Sequence, residues 1–582
     1  MPPATAKPHV LLAMAMCLAV FSFIFAFATP ATSDEPADPP ASDAQFQQQL
    51  SAGQFDAALA TAQAAQSPQQ RDAQFARLAE AQARAGAREG SIASLGRIRD
   101  DRIRTQAMRD MAAARRGGGS QADFDALIEL ITTTVAVDNW AENGGLGTVR
   151  EFEGGVVVDT DGTLARRLEQ EQTIGGMLSR LRSSAAQDSG NDDVRRDSPL
   201  RRVSLTRLER AVQLRHAAGL PVTETMRMLA GMQRVQYVFV YPESRDVVIA
   251  GPAGRWEPDE EGRPIHPETR RPVVHLDDLA VMLRHMRERR DEKIGCSITP
   301  TREGLKRIQT FLAESTQHPL RPGQRQQWLD RLTETLGPQT IDVYGIDPSS
   351  RAARVLVEAD YRMKLVGMGL EEGTLGVESY LDLIDVPPGG TPPPMDVLRW
   401  WFTMDYEAIK TTADRDAFAL HGQGVRVRSE NELLTDQGQR VHTGKSEQLN
   451  RQFAESFTRH FGELCRRYPV YADLQNQFDL AVVSALIASE DLPAQVGWHM
   501  SYLGDLKGYP VAKGAAPKQV RSVVGHREVR PGQIIAGVSG GVHLRPVCLV
   551  SRDAIQRDLY GKLKATRATG DVPPSPDVWW WD

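Results

Sequence analysis

The 582-residue sequence is poor in cysteine, with only Cys17, Cys296, Cys465 and Cys548. No two are spaced as C-x-x-C, which excludes a zinc site built on such pairs and a disulfide-dense scaffold. Apolar neighbours predict that Cys465, on a helix, and Cys548, on a strand, are small buried hydrophobes. Behind a cleaved leader the remaining three cysteines permit one disulfide, and whether any two of them pair stays open.

Lysine is also scarce, because only 11 of the 69 basic residues are lysine and the rest are arginine. We attribute this bias to the codon usage of a GC-rich genome. Acidic residues number 75, so the formal net charge is −6. A mildly acidic chain is a poor nucleic-acid binder, and we predict no nucleic-acid partner. Hydrophobic residues make up 41% of the chain, enough for a packed core.

Long apolar runs are missing except at the start of the chain. Lys7 precedes an apolar stretch over residues 10–28, which ends in Ala26-Phe27-Ala28. This pattern is typical of a secretory signal peptide with an A-x-A cleavage site. The alternative is an uncleaved membrane anchor, but the acidic, proline-rich segment that follows favours cleavage. We therefore predict an extracytoplasmic protein and leave periplasm or exterior open.

Residues 46–116 are rich in alanine, glutamine and arginine and are predicted to be helical. The segment 50–59 resembles the segment 83–92, and their glycines, Gly53 and Gly86, are 33 residues apart. This period is close to the 34 residues of tetratricopeptide helix pairs, with one helix ending near each glycine. A plain helical hairpin or bundle is the alternative.

The second half alternates strands and helices without a regular βαβ order. Residues 235–241 predict a covered strand, and the turn at 242–245 leads back into a strand at 247–250. Residues 341–346 and 353–359, joined by a turn at 347–350, predict a second hairpin.

Helix signals in this half come from capping residues and apolar spacing. Thr299 and Pro300 predict a helix start. Phe453, Phe457, Phe461 and Leu464 predict one amphipathic helix, which Tyr468-Pro469 ends. Leu474, Phe478, Val482 and Leu486 predict the next helix, and Asp277 and Asp278 are typical of an acidic helix start.

Together these patterns predict an α+β fold: an N-terminal α-helical, tetratricopeptide-like region followed by a large mixed domain with antiparallel hairpins. We divide the chain into a signal peptide (1–28), a proline-rich acidic linker (29–45), a helical repeat-like region (46–116), a glycine-rich linker with a short helix (117–149), an α+β domain with one or two subdomains (150–570) and a Pro/Trp tail (571–582).

One motif resembles the first motif of haloacid dehalogenase-type phosphatases: an apolar strand, 156–158, leads into D-x-D-G-T at 159–163. The resemblance implies Asp159 as nucleophile, Asp161 as acid/base, Thr163 as a phosphate contact and magnesium as cofactor. The late acidic pair and lysine of that family lack their proper order here. A strand entering an Asp-Gly turn explains the motif equally well.

A second motif, Gly537-Val538-Ser539-Gly540-Gly541, fits the G-x-S-x-G nucleophile elbow. That elbow requires a helix after the serine, whereas residues 542–547 alternate like a strand. His543, the sole later histidine, is too close in sequence for a catalytic partner. We interpret the motif as a tight turn between two strands.

The chain ends in Trp579-Trp580-Trp581-Asp582 behind a proline-rich segment. Three indole rings at a mobile end would contact a membrane interface or a partner's groove. The alternative, which we favour, is that they cover an apolar patch of this same protein. Membrane contact is therefore expected only through this tail or an uncleaved leader.

Several longer segments resemble a group of large exported proteins typical of planctomycete bacteria, which carry only a domain-of-unknown-function label. The resemblance spans about residues 150–570. It rests on the segments GGVVVD (154–159), LAGMQRVQYVFVYP (229–242), VLVEADYRMK (355–364), YPVYADL (468–474) and AGVSGGV (536–542). It implies no activity and no catalytic residues.

Two functional hypotheses remain. The first, which we predict, is an exported interaction or scaffold protein without catalytic activity or cofactor, which binds a protein partner through residues 46–116. The second is an extracytoplasmic phosphohydrolase that uses Asp159 and Asp161 with magnesium. It requires those carboxylates to converge at the carboxyl end of a parallel strand. The partner and the oligomeric state stay open.

Overall fold

The computed structural model describes residues 41–117, 148–152, 155–159, 194–289, 293–315, 325–385, 396–435, 439–514, 516–529, 532–570, 572–573 and 575–582. The predicted signal peptide, most of the acidic linker and the short helix expected after residue 117 lie outside these ranges. Within the described residues, no helix combines the length and the apolar character that crossing a bilayer requires.

The predicted N-terminal helical region is confirmed as five consecutive helices: α1 Ala41–Ser51, α2 Phe55–Gln63, α3 Pro68–Arg84, α4 Arg88–Arg97 and α5 Asp101–Gly117. Their small core is built from alanine, leucine and aromatic side chains on the inward faces, such as Phe46, Phe75 and Leu78. The helices therefore bury one apolar stripe each, as amphipathic helices of a stacked hairpin array do.

The turns after α1 and α3 have the same geometry. Gly53 has φ 69° and Gly86 has φ 77°, the left-handed conformation that glycine adopts most easily at a helix end. In each turn the glycine N–H donates to the carbonyl three residues earlier, at 3.1 Å. Helices α1, α3 and α5 end at residues 51, 84 and 117, so the 33-residue period of the sequence is also a period of helix ends.

The remaining helices and strands belong to a mixed body. Its strands are β1 Thr148–Phe152, β2 Gly155–Asp159, β3 Ser198–Ser204, β4 Tyr237–Tyr241, β5 Asp246–Ala253, β6 Glu257–Pro258, β7 Pro264–Ile265, β8 Ile294–Pro300, β9 Gln339–Tyr344, β10 Asp396–Asp405, β11 Ala408–Thr411, β12 Ala417–His421, β13 Gly424–Leu434, β14 Arg440–His442, β15 Gln519–Val520, β16 Val524–Val529, β17 Gly532–Leu544, β18 Ile555–Arg557 and β19 Trp580–Trp581. Its helices are α6 Leu205–Ala217, α7 Glu224–Arg227, α8 Leu276–Glu288, α9 Arg302–Ser315, α10 Arg325–Leu336, α11 Arg351–Gly367, α12 Tyr380–Leu383, α13 Gln448–Arg459, α14 Phe461–Arg467, α15 Pro469–Ser489, α16 Leu492–Val496 and α17 Lys562–Ala568.

Two large sheets organise the body. One has the strand order β18-β11-β12-β4-β5-β3-β19, and the other has the order β14-β13-β10-β17-β8-β9-β15 with β16 paired to β17. Each contains one parallel pair, β11 with β18 and β10 with β17, and is otherwise antiparallel. The predicted α+β class is confirmed, and so is the hairpin of β4 and β5.

Helix α15 lies at the centre of the body and is buried on almost every side. It packs against α8, α11 and α14. Three phenylalanines of α13 and α14, Phe453, Phe457 and Phe461, surround Tyr471 of α15 together with Phe402. The sequence predicted an apolar face for this helix, but the helix buries all its faces because elements cover it from several directions.

The predicted second hairpin is wrong, because residues 353–359 belong to helix α11. The hydroxyl of Ser350 accepts a hydrogen bond from the Ala353 N–H at 3.2 Å and caps that helix. A helix buried over most of its surface presents a nearly continuous apolar run, which does not distinguish helix from strand. The helix start predicted at Thr299 lies two residues later, where Thr301 accepts from the Gly304 N–H at 3.0 Å.

Other local predictions differ in detail. The run from Phe453 to Leu464 forms two helices that meet at His460, not one. Cys465 is buried as predicted, whereas Cys548 is exposed on a short 3₁₀ turn. The structure keeps Cys296, Cys465 and Cys548 as free thiols.

Candidate functional site

A cleft of about 840 Å³ lies between the N-terminal helices and the body. Its walls come from α3, from the turn between α4 and α5, from α6, from the turn between β4 and β5, from the end of α16 and from residues 572–576 of the tail. Segments from both ends of the chain therefore meet at one concavity, the most prominent in the described structure.

Arginine dominates the charge of this cleft. Seven arginines line it, against three carboxylates. The arginines are Arg71, Arg97, Arg99, Arg104, Arg207, Arg210 and Arg245, and the carboxylates are those of Asp101, Glu243 and Asp246. The positive excess is local, because the whole chain carries a net charge of −6.

Two of these arginines hold the C-terminal tail. Arg207 forms a two-pronged ion pair with Asp246, with both N···O distances 2.9 Å. Its Nη1 also donates to the carbonyl oxygens of Pro573 and Ser575, both at 2.8 Å. Arg210 donates to the carbonyl of Pro576 at 3.3 Å. The wall of the cleft is thus an extended peptide held through its carbonyl groups by guanidinium donors.

Arg97 and Arg99 are exposed on the turn between α4 and α5, and no partner of either guanidinium appears among the described contacts. The buried carboxylate of Asp72 fixes this turn, since its Oδ2 accepts from the backbone N–H groups of Arg99 at 3.0 Å and Asp100 at 2.8 Å. Arg245, on the opposite wall, donates to the carbonyl of Val496 at 3.2 Å and is otherwise exposed.

A buried polar network behind the cleft joins the helices to the body. Arg104 of α5 donates through Nη1 to the carbonyl of Ile98 at 2.9 Å and through Nε to Gln213 of α6. Glu209 of α6 accepts from the N–H groups of Tyr502 and Leu503 at 2.8 Å. Burial and the neighbouring Asp101 carboxylate raise the pKa of Glu209.

Asp101 lies beside Asp100 and His499 in a group with metal-ligand composition. Its Oδ1 accepts from the backbone N–H and from Nδ1 of His499, at 3.0 and 2.8 Å, and its Oδ2 accepts from the Ser501 N–H at 2.9 Å. Against the effect of burial, the hydrogen bonds from Ser501 and His499 lower the pKa of Asp101. Protein donors therefore satisfy this carboxylate, and it docks α5 onto the body.

A second polar feature is a strip across the open face of the larger sheet. Tyr344 of β9 passes over Gly295, where a Cβ would lie 2.7 Å from its hydroxyl, and contacts Nδ1 of His543 on β17. Arg399 of β10 lies 3.1 Å from Nε2 of His543 and donates to Glu430 of β13 at 3.1 Å. Burial, together with Arg399, lowers the pKa of His543 to about 4, so this imidazole is neutral at pH 7.

The strip ends in Glu430, Glu432 and His442, a second group with metal-ligand composition. Arg399 and Arg440 lie beside the two carboxylates, each at 3.1 and 3.0 Å respectively from one of them. Two arginines balance two glutamates, so the group is neutral without a cation. The hydroxyl of Ser539 donates to Glu432 at 3.1 Å.

The third feature is a fully buried ionic network around α15. Asp473 accepts through Oδ2 from Arg263 and Arg351, and Arg351 also binds Asp278. Against the effect of burial, Arg351 and Arg263 hold the pKa of Asp473 below its ordinary value, while burial raises the pKa of Asp278 to about 6. The acidic helix start predicted at Asp277 and Asp278 is confirmed as the first turn of α8, and Asp278 uses its charge inside the protein.

The predicted phosphatase residues do not gain the setting they require. Asp159 ends β2, which pairs antiparallel with β1 and places Asp159 opposite Thr148. The hypothesis depended on the carboxyl end of a parallel strand, and this hairpin does not supply one. Asp161 and Thr163 lie outside the described residues.

The G-x-S-x-G segment has a different structure from both readings of the sequence. Residues 537–541 lie inside the continuous strand β17, so the predicted tight turn is wrong, and no helix follows Ser539. The Ser539 side chain is buried against Glu432 and the Leu398 carbonyl. The glycines have a packing reason, because a Cβ on Gly540 would lie 1.9 Å from the Trp400 carbonyl of the neighbouring strand.

Sequence reasoning missed the arginine cleft. Its seven arginines come from α3, the α4–α5 region, α6 and the β4–β5 turn, so no local motif contains them. The only signal was the large excess of arginine over lysine, which we attributed to codon usage. Arginine differs physically from lysine, because its planar guanidinium binds carboxylates and carbonyls through two donors at once.

Comparison with known proteins identifies one partial match. A family model described as a protein of unknown function, DUF1598, matches residues 296–380. The match runs from Cys296 on β8 to the start of α12 and includes the fully buried pair Asp360 and Lys364, whose side chains are 2.7 Å apart. It supports a domain-of-unknown-function label for this part of the chain. No curated protein and no solved structure matches the chain.

Proposed function

We propose that this chain is a non-catalytic interaction protein that binds a protein partner at the cleft between its N-terminal helices and its body. The cleft is the observation that carries the proposal, since concave sites between structural units are the usual places for binding. The helical region contributes one wall, as a tetratricopeptide-like array does when it presents a concave surface. The proposal involves no cofactor.

The rigidity of the cleft supports this function. Helix α5 is fixed to the body through Asp101, Arg104 and Thr105, whose side chains bond residues of α6 and of the segment 499–501. A preformed surface binds with a smaller loss of conformational entropy than a mobile arm. The helical region therefore serves as part of a composite surface.

Site-specific photo-crosslinking in the producing cells tests this function. A benzophenone amino acid replaces Gln63, an exposed residue of the cleft wall, or Tyr560, which is 86% exposed on a distant loop. We expect one discrete adduct from position 63 and none from position 560, and the adduct protein, identified by mass spectrometry, binds the purified chain. Identical adduct patterns from both positions, or none from position 63, would overturn the proposal.

We further propose that the protein is exported as a member of the planctomycete-type group that its longer segments resemble. Support comes from the leader pattern over residues 1–28. Fractionation followed by N-terminal sequencing tests it: the expected chain lies outside the cytoplasm and begins at Thr29. A chain that keeps its leader in the cytoplasm would contradict export.

A further inference from the structure

We infer that the partner segment bound in the arginine cleft is an extended, acidic stretch of polypeptide. This inference rests on the proposed function and specifies the chemistry of its ligand. The argument has three parts: the exposed cations in the cleft, the peptide already bound at its wall, and the interruption of its positive charge.

The first part is the set of exposed arginines. Arg97 and Arg99 project from one wall and Arg245 lies on the other, and all three are exposed. Guanidinium groups form paired hydrogen bonds with carboxylates, which makes arginine the preferred residue for recognising Asp and Glu side chains. Acidic side chains on a bound segment would therefore supply partners for cations that now face the cleft.

The second part is the tail itself. Arg207 binds three carbonyl oxygens of the tail, those of Pro573, Ser575 and Val578, at 2.8, 2.8 and 3.1 Å. The cleft thus already holds one proline-containing segment through its backbone. Val572 and Pro573 are half-buried and leave apolar surface open to the cleft. A second extended segment would find carbonyl-binding cations and apolar contacts on the same wall.

The third part is the uneven charge of the lining. The exposed carboxylate of Glu243 lies next to Arg245 in the chain, and the tail carbonyls contribute further negative dipoles. A densely charged polyanion would be repelled at these points. A polypeptide with acidic side chains between neutral ones avoids that repulsion, which favours it over a polyphosphate or a nucleic acid.

Fluorescence anisotropy on the full mature chain tests the inference. The probe is a fluorescein-labelled peptide of alternating glutamate and proline, because such a peptide is extended in solution. The reference probe carries glutamine in place of glutamate. The test variant is Arg97→Gln with Arg99→Gln. The matched control is Arg552→Gln with Arg557→Gln, which removes the same charge from exposed arginines of another surface.

We expect the acidic peptide, but not the glutamine peptide, to bind, and the cleft variant to weaken binding about tenfold while the control changes it less than about twofold. Equal weakening by both variants would show general charge attraction and overturn the inference. Tighter binding of inorganic polyphosphate than of the acidic peptide, lost in the same cleft variant, would overturn it in favour of another anion. If the crosslink from position 63 forms while the acidic peptide does not bind, the inference fails and the proposed function stands.

Discussion

Asp473 of the central helix and Arg351 of α11 form an ion pair with both side chains inside the protein: 1% and 13% of the carboxylate and guanidinium side chains are exposed. Arg351 extends the pair to Asp278, and Asp473 extends it to Arg263. Such a network joins helices α8, α11 and α15 through directed contacts, which constrains their register more tightly than apolar packing alone. A buried charge that loses its partner is costly, so each member depends on the others.

Asp473→Asn is therefore expected to lower the free energy of unfolding by about 3–5 kcal/mol, because it leaves two buried guanidinium groups without their shared carboxylate. The matched control is Glu358→Gln, which removes a carboxylate that is 31% exposed and binds the same Arg263 at 2.7 Å. Its cost is expected to be about 1 kcal/mol or less. Urea denaturation followed by circular dichroism measures both, and equal costs would contradict the network's importance.

Asp72 is expected to control the shape of the cleft from behind. Asp72→Ala leaves the N–H groups of Arg99 and Asp100 without their acceptor and should cost about 1–3 kcal/mol of stability. Asp72→Asn keeps one acceptor oxygen and should recover part of that loss. Thermal unfolding of the two variants provides the measurement, and an alanine variant as stable as the parent would show that the turn needs no such support.

His543 predicts a specific pH dependence. Its pKa is about 4 in the folded protein and near 6.5 in the unfolded chain, so both states are neutral above that range. Between about pH 6.5 and 4 the unfolded chain binds a proton that the folded protein refuses, and stability falls as pH is lowered. His543→Gln should remove about 1–3 kcal/mol of this fall, after allowance for partial exposure.

Because other groups titrate in the same range, the informative quantity is the difference between parent and variant. Denaturant midpoints at pH 7.5, 6, 5 and 4.5, values that bracket the shift of about two pKa units, give that difference. Parallel pH profiles for the two proteins would show that His543 is not held neutral by its surroundings.

The tryptophan tail is expected to stabilise the fold and not to bind membranes. Trp579, Trp580 and Trp581 are each 8% exposed, β19 pairs with β3, and the Asp582 carboxylate binds Arg201 at 2.8 Å. Trp580→Ala should therefore cost about 3–5 kcal/mol. Adding anionic lipid vesicles to the intact protein should leave its tryptophan emission unchanged, and a blue shift would contradict this interpretation.

The sequence predicted elements whose signals are local. The hairpin of β4 and β5 has two apolar runs and a polar turn within a few residues, and the helix ends at Gly53 and Gly86 need only a residue that tolerates positive φ. The self-covering tail was likewise the favoured alternative, because three exposed indoles would be too costly. In each case the deciding physics lies within one short stretch of chain.

What the sequence failed to predict depends on distant partners. Residues 353–359 were assigned to a strand because α11 is buried on most sides, so its apolar run lacked a helical period. Cys548 was expected to be buried, but the chain turns outward after Pro546. The cleft has no local signature, since Arg97 and Arg245 come together only through the docking of α5 onto α6.

The tail forms one wall of the cleft, and this has a consequence for the order of events during synthesis. All seven arginines are in place once residue 245 has been made, yet the carbonyls of Pro573, Ser575 and Pro576 that complete the wall are among the last to leave the ribosome. The finished cleft therefore cannot exist on a nascent or prematurely terminated chain. A partner that recognises this surface distinguishes full-length molecules from truncated ones.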